Sequence, residues 1–248
     1  MERSHKTASP SYQTILDILL RGKIELQAQF ALGSNYTFLV NVNHPAGHIQ
    51  AVYKPQRGEI PLWDFPPESL AGREVAAYLL SEALGWRLVP PTILREDGPF
   101  GPGSLQQFIP YDPELNYFSF QPALIQRLKP TALFDMVINN ADRKGSHILL
   151  DDDRHIWLID HGLCFHALPK LRTVIWDFAG QSVPAELIRD LEYVLPNLKA
   201  GADLYKNLCD CLEKKEIRAL KTRILNIINQ PVFPKPDTEK RQFPWPLV

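Results

Sequence analysis

Residues 135–143 read DMVINNADR and residues 159–165 read IDHGLCF. The first stretch closes a helical pattern in which Leu133, Phe134, Val137 and Ile138 share a face, with Pro130 acceptable in the first turn and Asn139-Asn140 as a stop. The second begins where an apolar run ends at Asp160. Between them lie a strand (HILL), a turn (DDDR) and a second strand (HIWLI). A loop, a hairpin and a second loop can return Asp142 and Asp160 to one edge of a small sheet. Asp142 alone could be a turn residue, since Asp bonds its own backbone readily. Asp160 at the end of an apolar run would be costly to bury unpaired, a cost that a bound metal removes.

Upstream, residues 11–21 have helical spacing that ends at Gly22. Ile24, Leu26, Ala28 and Phe30 then alternate with polar residues, the period of a half-buried strand. Gly33-Ser34-Asn35 follows, then a β-rich run from Tyr36 to Val42, a turn at residues 44–47, and a run from His48 to Tyr53 that delivers Lys54. Residues 55–69 form a Pro- and Trp-containing loop, read as a folded-over insertion. Residues 70–84 are helical, carry Glu74 and stop at Gly85. Short β-like runs at 87–94 and 104–109 complete the first part of the chain. After the hairpin, helices are expected at about 183–195 and 204–229, and the last eighteen residues, with five prolines, read as extended tail.

Transfer of a phosphoryl group from ATP asks a protein mainly for positioning: a turn over the phosphates, a lysine on them, a carboxylate holding that lysine, a carboxylate near the attacking hydroxyl, and metal ligands. The chain offers these in order as Gly33-Ser34-Asn35, Lys54, Glu74, Asp142 and Asp160. Each alone has a plain alternative as a solvated or turn residue, and the ordered set is what carries the reading.

The two opening stretches resemble the catalytic and metal-binding segments of the phosphatidylinositol 3-/4-kinase-like group, above all the type II phosphatidylinositol 4-kinases, and those of the secretory-pathway kinases. The pattern D-x-x-x-x-N-x-D-R is met at Asp135, Asn140, Asp142 and Arg143, and I-D-x-G-L-x-F at Ile159, Asp160, Gly162, Leu163 and Phe165. The likeness in motif order spans about residues 31–180 and is similar to that of a bacterial branch of the protein-kinase-like superfamily. It implies an α+β, bilobal protein-kinase-like fold: a β-rich small lobe at 1–110, a mainly helical large lobe at 111–230, and a tail at 231–248. It implies ATP and Mg²⁺, with Mn²⁺ as an alternative. By position, Asp142 would orient or deprotonate the acceptor hydroxyl, and Asp160 would hold the metal. Lys54 would contact the phosphates and pair with Glu74, Gly33, Ser34 and Asn35 would form the phosphate turn, and Gln107, Phe108 and Ile109 would line the adenine pocket. The pattern departs at His147, where relatives place an asparagine that holds a second metal; imidazole is a poorer Mg²⁺ ligand than an oxygen donor. The turn has one glycine and no A-P-E segment follows Asp160, so ordinary protein-kinase peptide recognition is not implied. Arg143 and Lys144 are read as solvated charges, His161 and His166 as incidental. A nucleotide-binding pseudokinase and an AMP transferase are the alternatives.

Composition bounds the partners. Of 248 residues, 27 are Lys or Arg and 28 Asp or Glu, a formal charge of −1 that gives no general attraction to nucleic acid or an anionic bilayer. No stretch reaches the roughly 18 apolar residues of a membrane span. Cys164, Cys209 and Cys211 make no disulfide framework, which fits a reducing, cytoplasmic setting. The acceptor is expected to carry a hydroxyl, on a small molecule, an inositol lipid or a protein Ser/Thr.

Overall fold

The computed structural model describes residues 11–30, 35–237, 239 and 241–248. Gly33 and Ser34 lie outside the described residues. A five-stranded antiparallel sheet has the order β1-β2-β3-β5-β4, formed by β1 (Lys23–Gln29), β2 (Phe38–His44), β3 (Gly47–Pro55), β4 (Thr92–Gly98) and β5 (Gly101–Gln107). Helix α1 (Tyr12–Arg21), capped by the Ser11 side chain, lays Ile18 and Leu19 on the sheet against Val40, Val42, Ala51, Tyr53 and Leu105, all fully buried. This small core sits at one end of the molecule.

The alternating residues of β1 form the expected strand, but not a half-buried one. Leu26 is 45% exposed, because β1 is an edge that pairs only with β2 and slips register between Leu26 and Ala28. The run expected at 87–94 starts its strand only at Thr92, since Pro90 and Pro91 have no N–H to give a ladder.

Helix α2 (Leu70–Ala83) joins the sheet to a larger helical core. The rest of that core comes from α3 (Pro122–Ile125), α4 (Lys129–Ile138), the hairpin β6 (Ile148–Leu150) and β7 (Ile156–Leu158), α5 (Ala185–Val194), α6 (Asp203–Cys209) and α7 (Lys214–Asn229). Leu133, Phe134, Val137 and Ile138 of α4, Ile148 and Leu158 of the hairpin, and Leu220 and Ile224 of α7 are fully buried within it. The single helix expected at 204–229 is two. Glu213 opens α7 with a reciprocal cap, its N–H donating to the Glu216 carboxylate at 3.0 Å. The break lets the backbone at Cys211 pass so close to Gly72 that a Cβ there would lie 2.8 Å from the Cys211 carbonyl oxygen.

The proline-rich segment is no free tail. The Phe233 carbonyl accepts from Gly180 N–H at 2.8 Å, Phe233 is buried, and residues 241–248 fold back onto the loop that holds Asp142. Proline removes donors but leaves carbonyls, and here the carbonyls of Phe233, Gln242 and Leu247 make docking bonds alongside the Phe233 N–H, which donates to the Gln181 carbonyl at 2.9 Å.

Candidate active site

Asp160 follows β7 with φ of +60°, a left-handed conformation that Asp tolerates better than most side chains. That turn brings its carboxylate to Lys54 at 3.0 Å and to His147 Nε2 at 3.3 Å. Lys54 comes from the end of β3, whose register against β5 pairs it with Ser104. Its ammonium also meets Glu74 Oε1 at 2.5 Å. Glu74, 3% exposed in α2, turns its other oxygen to accept from His161 N–H at 2.8 Å. One buried carboxylate thus holds both the lysine and the backbone following Asp160. Gly162 makes room for this approach, since a Cβ there would come within 3.3 Å of Leu70.

The charges settle each other. Burial works against the Lys54 ammonium, but Asp160 and Glu74 outweigh it and hold its pKa above the ordinary lysine value. Burial likewise pushes Glu74 up, and Lys54 brings it well below the usual carboxylate range. Lys54 pulls Asp160 lower still.

Asp142 rests on a different scaffold. Helix α4 ends at Asn139, whose left-handed φ of +55° reverses the chain. Its amide donates to the carbonyls of His166 and Leu168, both at 2.8 Å. Asn140 donates to Asp135 at 2.9 Å and accepts from Asp142 N–H at 2.9 Å. Arg143 is fully buried, contrary to the solvated reading. Its Nε donates to both Asp135 oxygens at 3.1 Å, and Nη1 to the Ile159 carbonyl at 2.9 Å. Nη2 lies 2.9 Å from His161 Nε2. A guanidinium only donates, so His161 Nε2 accepts and its Nδ1 carries the hydrogen, facing Glu74 Oε2 at 3.7 Å. His161 is therefore no incidental residue: it is fully buried between the two halves of the site. The matched positions Asp135 and Arg143, opposite charges in one motif within an apolar segment, were the signal for this pair.

Among the described residues the Asp142 carboxylate is paired with Lys144, at 3.3 Å, and is partly open. Burial raises its pKa, Lys144 opposes that, and the charge on Asp160 raises it further.

His147 is buried and its imidazole is pushed down by burial to about 4. The unfolded chain protonates this residue near 6.5, whereas the folded chain refuses the proton until about 4. Its neutral form thus supports stability fully above pH 6.5, and that support drains as pH falls toward 4, an effect on the order of 3 kcal/mol. His147→Asn should flatten the acid limb of urea unfolding across this window, measured without nucleotide or metal. An unchanged limb would assign the acid sensitivity to other groups.

Of the other described candidates, Asn35 accepts at Oδ1 from Ile60 N–H at 2.7 Å, which ties it to the loop of residues 56–62. Gln107 ends β5 and Phe108 follows it, and their N–H groups donate to the carbonyls of Pro91 and Gln50 respectively. Ile109 is buried beside them. Trp63 is 94% exposed, and its loop is tied down by an Asp64 ion pair with Lys170 at 2.6 Å. Glu59 of the same loop caps α2, accepting from Leu70 and Ala71.

A β-rich lobe with a sheet lysine, a helix glutamate holding it, and two aspartate loops bracketing a hairpin define a protein-kinase-like fold. Solved structures agree in fold. Over 87% of this chain and 86% of the other, the structure of hydra Fam20 with sugar superposes with a TM-score of 0.60 at 15% identity. The Helicobacter pylori proinflammatory kinase CtkA covers 87% of this chain and 94% of its own, with a TM-score of 0.52 at 11% identity. The sequence pattern of the phosphatidylinositol 3- and 4-kinases matches residues 67–228. The chain belongs to that family of kinase-type phosphotransferases. A relative, Protein Rv2133c of Mycobacterium tuberculosis, is 37% identical over 264 residues, spanning 92% of this chain and 94% of its own.

Proposed function

We propose that the protein is an ATP- and Mg²⁺-dependent phosphotransferase that moves the γ-phosphate to a hydroxyl acceptor. The observation that carries this reading is Lys54 held between Glu74 and Asp160, with the charge on Asp160 felt at Asp142. Lys54 gives its charge to the α- and β-phosphates. Gly33 and Ser34 supply the turn over them, and Gln107, Phe108 and Ile109 flank the adenine.

Among the described residues no group of three or more His, Cys, Asp or Glu could hold a metal ion. A single carboxylate still suits Mg²⁺, which takes one or two carboxylates and completes its shell with phosphate oxygens and water. Asp160, with 48% of its side chain exposed, is the carboxylate that would hold it, with His147 beside it. When bound, the metal neutralises charge on the phosphates. Asp142 accepts the acceptor's proton as its oxygen bonds to the γ-phosphorus, and the bond to the β,γ-bridging oxygen breaks to release ADP. No helix among the described residues is long and apolar enough to cross a membrane. Three free cysteines fit a reducing cytoplasm.

The test is ATP binding and metal-dependent transfer in the intact protein and in Lys54→Met. Removing one preorganised cation from the phosphates should lower kcat/KM on the order of 10²–10³-fold. Binding without any turnover that Asp160→Asn abolishes would make the protein a nucleotide-dependent regulator. A product heavier by AMP would replace phosphoryl with nucleotidyl transfer.

A further inference from the structure

Residues 241–248 are tied at two points to the backbone around Asp142. The Leu247 carbonyl accepts from Gly145 N–H at 2.8 Å and the Gln242 carbonyl from Thr173 N–H at 3.1 Å. Between those contacts Pro244 is buried, and the Phe243 ring meets Trp176 with centroids 6.4 Å apart.

Both donors belong to the frame of the Asp142 loop. Gly145 opens the short turn Gly145–His147, which delivers His147 to Asp160 at 3.3 Å. Thr173 lies in a segment laid along the loop itself. Arg172 N–H donates to the Asn140 carbonyl at 2.8 Å, Arg143 N–H to the Arg172 carbonyl at 3.0 Å, and Val174 N–H to the Arg143 carbonyl at 3.2 Å. The tail thus grips the loop directly at Gly145 and through its backing segment at Thr173. Both residues are buried, and a buried N–H deprived of its acceptor is costly enough for the loop to open to water instead.

The side chains of the tail do not account for its docking. Phe243, Trp245, Leu247 and Val248 are all exposed, so the segment gains little by burying apolar surface. What it gives the rest of the molecule is a pair of carbonyls, placed on either side of the residue that would receive the acceptor's proton.

We propose that residues 241–248 are a positioning strap for the Asp142 loop, required for transfer and not for nucleotide binding. This rests on the phosphotransferase reading and adds how that site is held in register. Displacing a reacting group by about 1 Å costs on the order of 10²-fold in rate. Lys54 and Glu74 are set by β3 and α2 instead, so the nucleotide contacts proposed for them should survive loss of the strap.

The test compares the intact chain with the chain ended at residue 240, and with Gln242→Ala and Leu247→Ala, which keep both carbonyls. The rate measured is metal-dependent ATP hydrolysis, with water as the acceptor. The shortened chain should bind a non-hydrolysable ATP analogue at the parental affinity and stoichiometry by calorimetry, yet turn over about 10²-fold more slowly at unchanged KM for ATP. Without nucleotide, the amides of Gly145 and Thr173 should exchange with solvent about tenfold faster, the worth of one backbone hydrogen bond. The alanine variants should keep the parental rate and the parental exchange. Where the chain ended at residue 240 does not fold, the chain ended at residue 246 takes its place, losing two exposed residues and with them the Gly145 bond. The inference is overturned if the shortened chain turns over at the parental rate, if Gly145 stays as protected as before, or if either alanine variant loses as much as the shortened chain. Absence of analogue binding or of hydrolysis in every form counts against the phosphotransferase reading, and amide exchange then decides alone whether the tail holds the loop.

Discussion

Asp142→Asn is expected to lower phosphoryl transfer by about 10²–10⁴-fold, the range lost with a positioned general base, while ATP affinity stays within about twofold. The separation follows from the two scaffolds. Asp142 takes its position from Asn140 and Arg143, whereas the proposed nucleotide contacts rest on Lys54, Glu74 and Asp160. Asparagine keeps the size and the backbone N–H bond to the Asn140 side chain, so the loop should stay folded, but it cannot take the acceptor's proton. It also releases Lys144, whose ammonium then has no carboxylate at 3.3 Å, and this favours retained or slightly tighter binding of the anionic nucleotide. Single-turnover transfer and equilibrium ATP titration together read both quantities. A variant that transfers at the parental rate would show that Asp142 is not the group receiving the proton.

Much of this site was legible because its parts are local. Asp142 and Asp160 are separated by two three-residue strands, and so short a hairpin brings the ends of its flanking loops together. Lys54 was legible for a similar reason: strand period and a tight turn at residues 44–47 fix where β3 ends. Pairing Glu74 with that lysine needed a contact across 20 residues, and only the order of the set suggested it. What was missed depends on long-range burial. Arg143 looks like any charged loop residue until α4 supplies Asp135 and the Asp160 segment supplies the Ile159 carbonyl. The tail read as unstructured because proline content signals missing donors, but the docking at Gly145 and Thr173 uses the tail's acceptors. Composition could not reveal which half of the peptide group would be used.

The same contrast sets the largest expected loss of stability. Arg143→Met should destabilise the fold by about 3–5 kcal/mol, the cost of leaving one partner of a buried ion pair uncompensated. Both members are fully buried, and without the guanidinium Asp135 keeps only the Asn140 amide at 2.9 Å and a long contact to the Thr173 hydroxyl at 3.4 Å. Removing both charges in Asp135→Asn with Arg143→Met should cost much less than the two single changes added together, because no orphaned charge remains. Urea unfolding of the four forms measures this as a coupling energy, and strict additivity would mean that the pair is not energetically linked. Function should not return with stability. Arg143 also donates to the Ile159 carbonyl and touches His161, whose N–H is held by Glu74. The double variant loses that link between the Asp142 loop and the Lys54–Asp160 cluster, so it should fold yet transfer phosphate poorly. Recovered stability with full recovery of kcat would reduce Arg143 to a packing role.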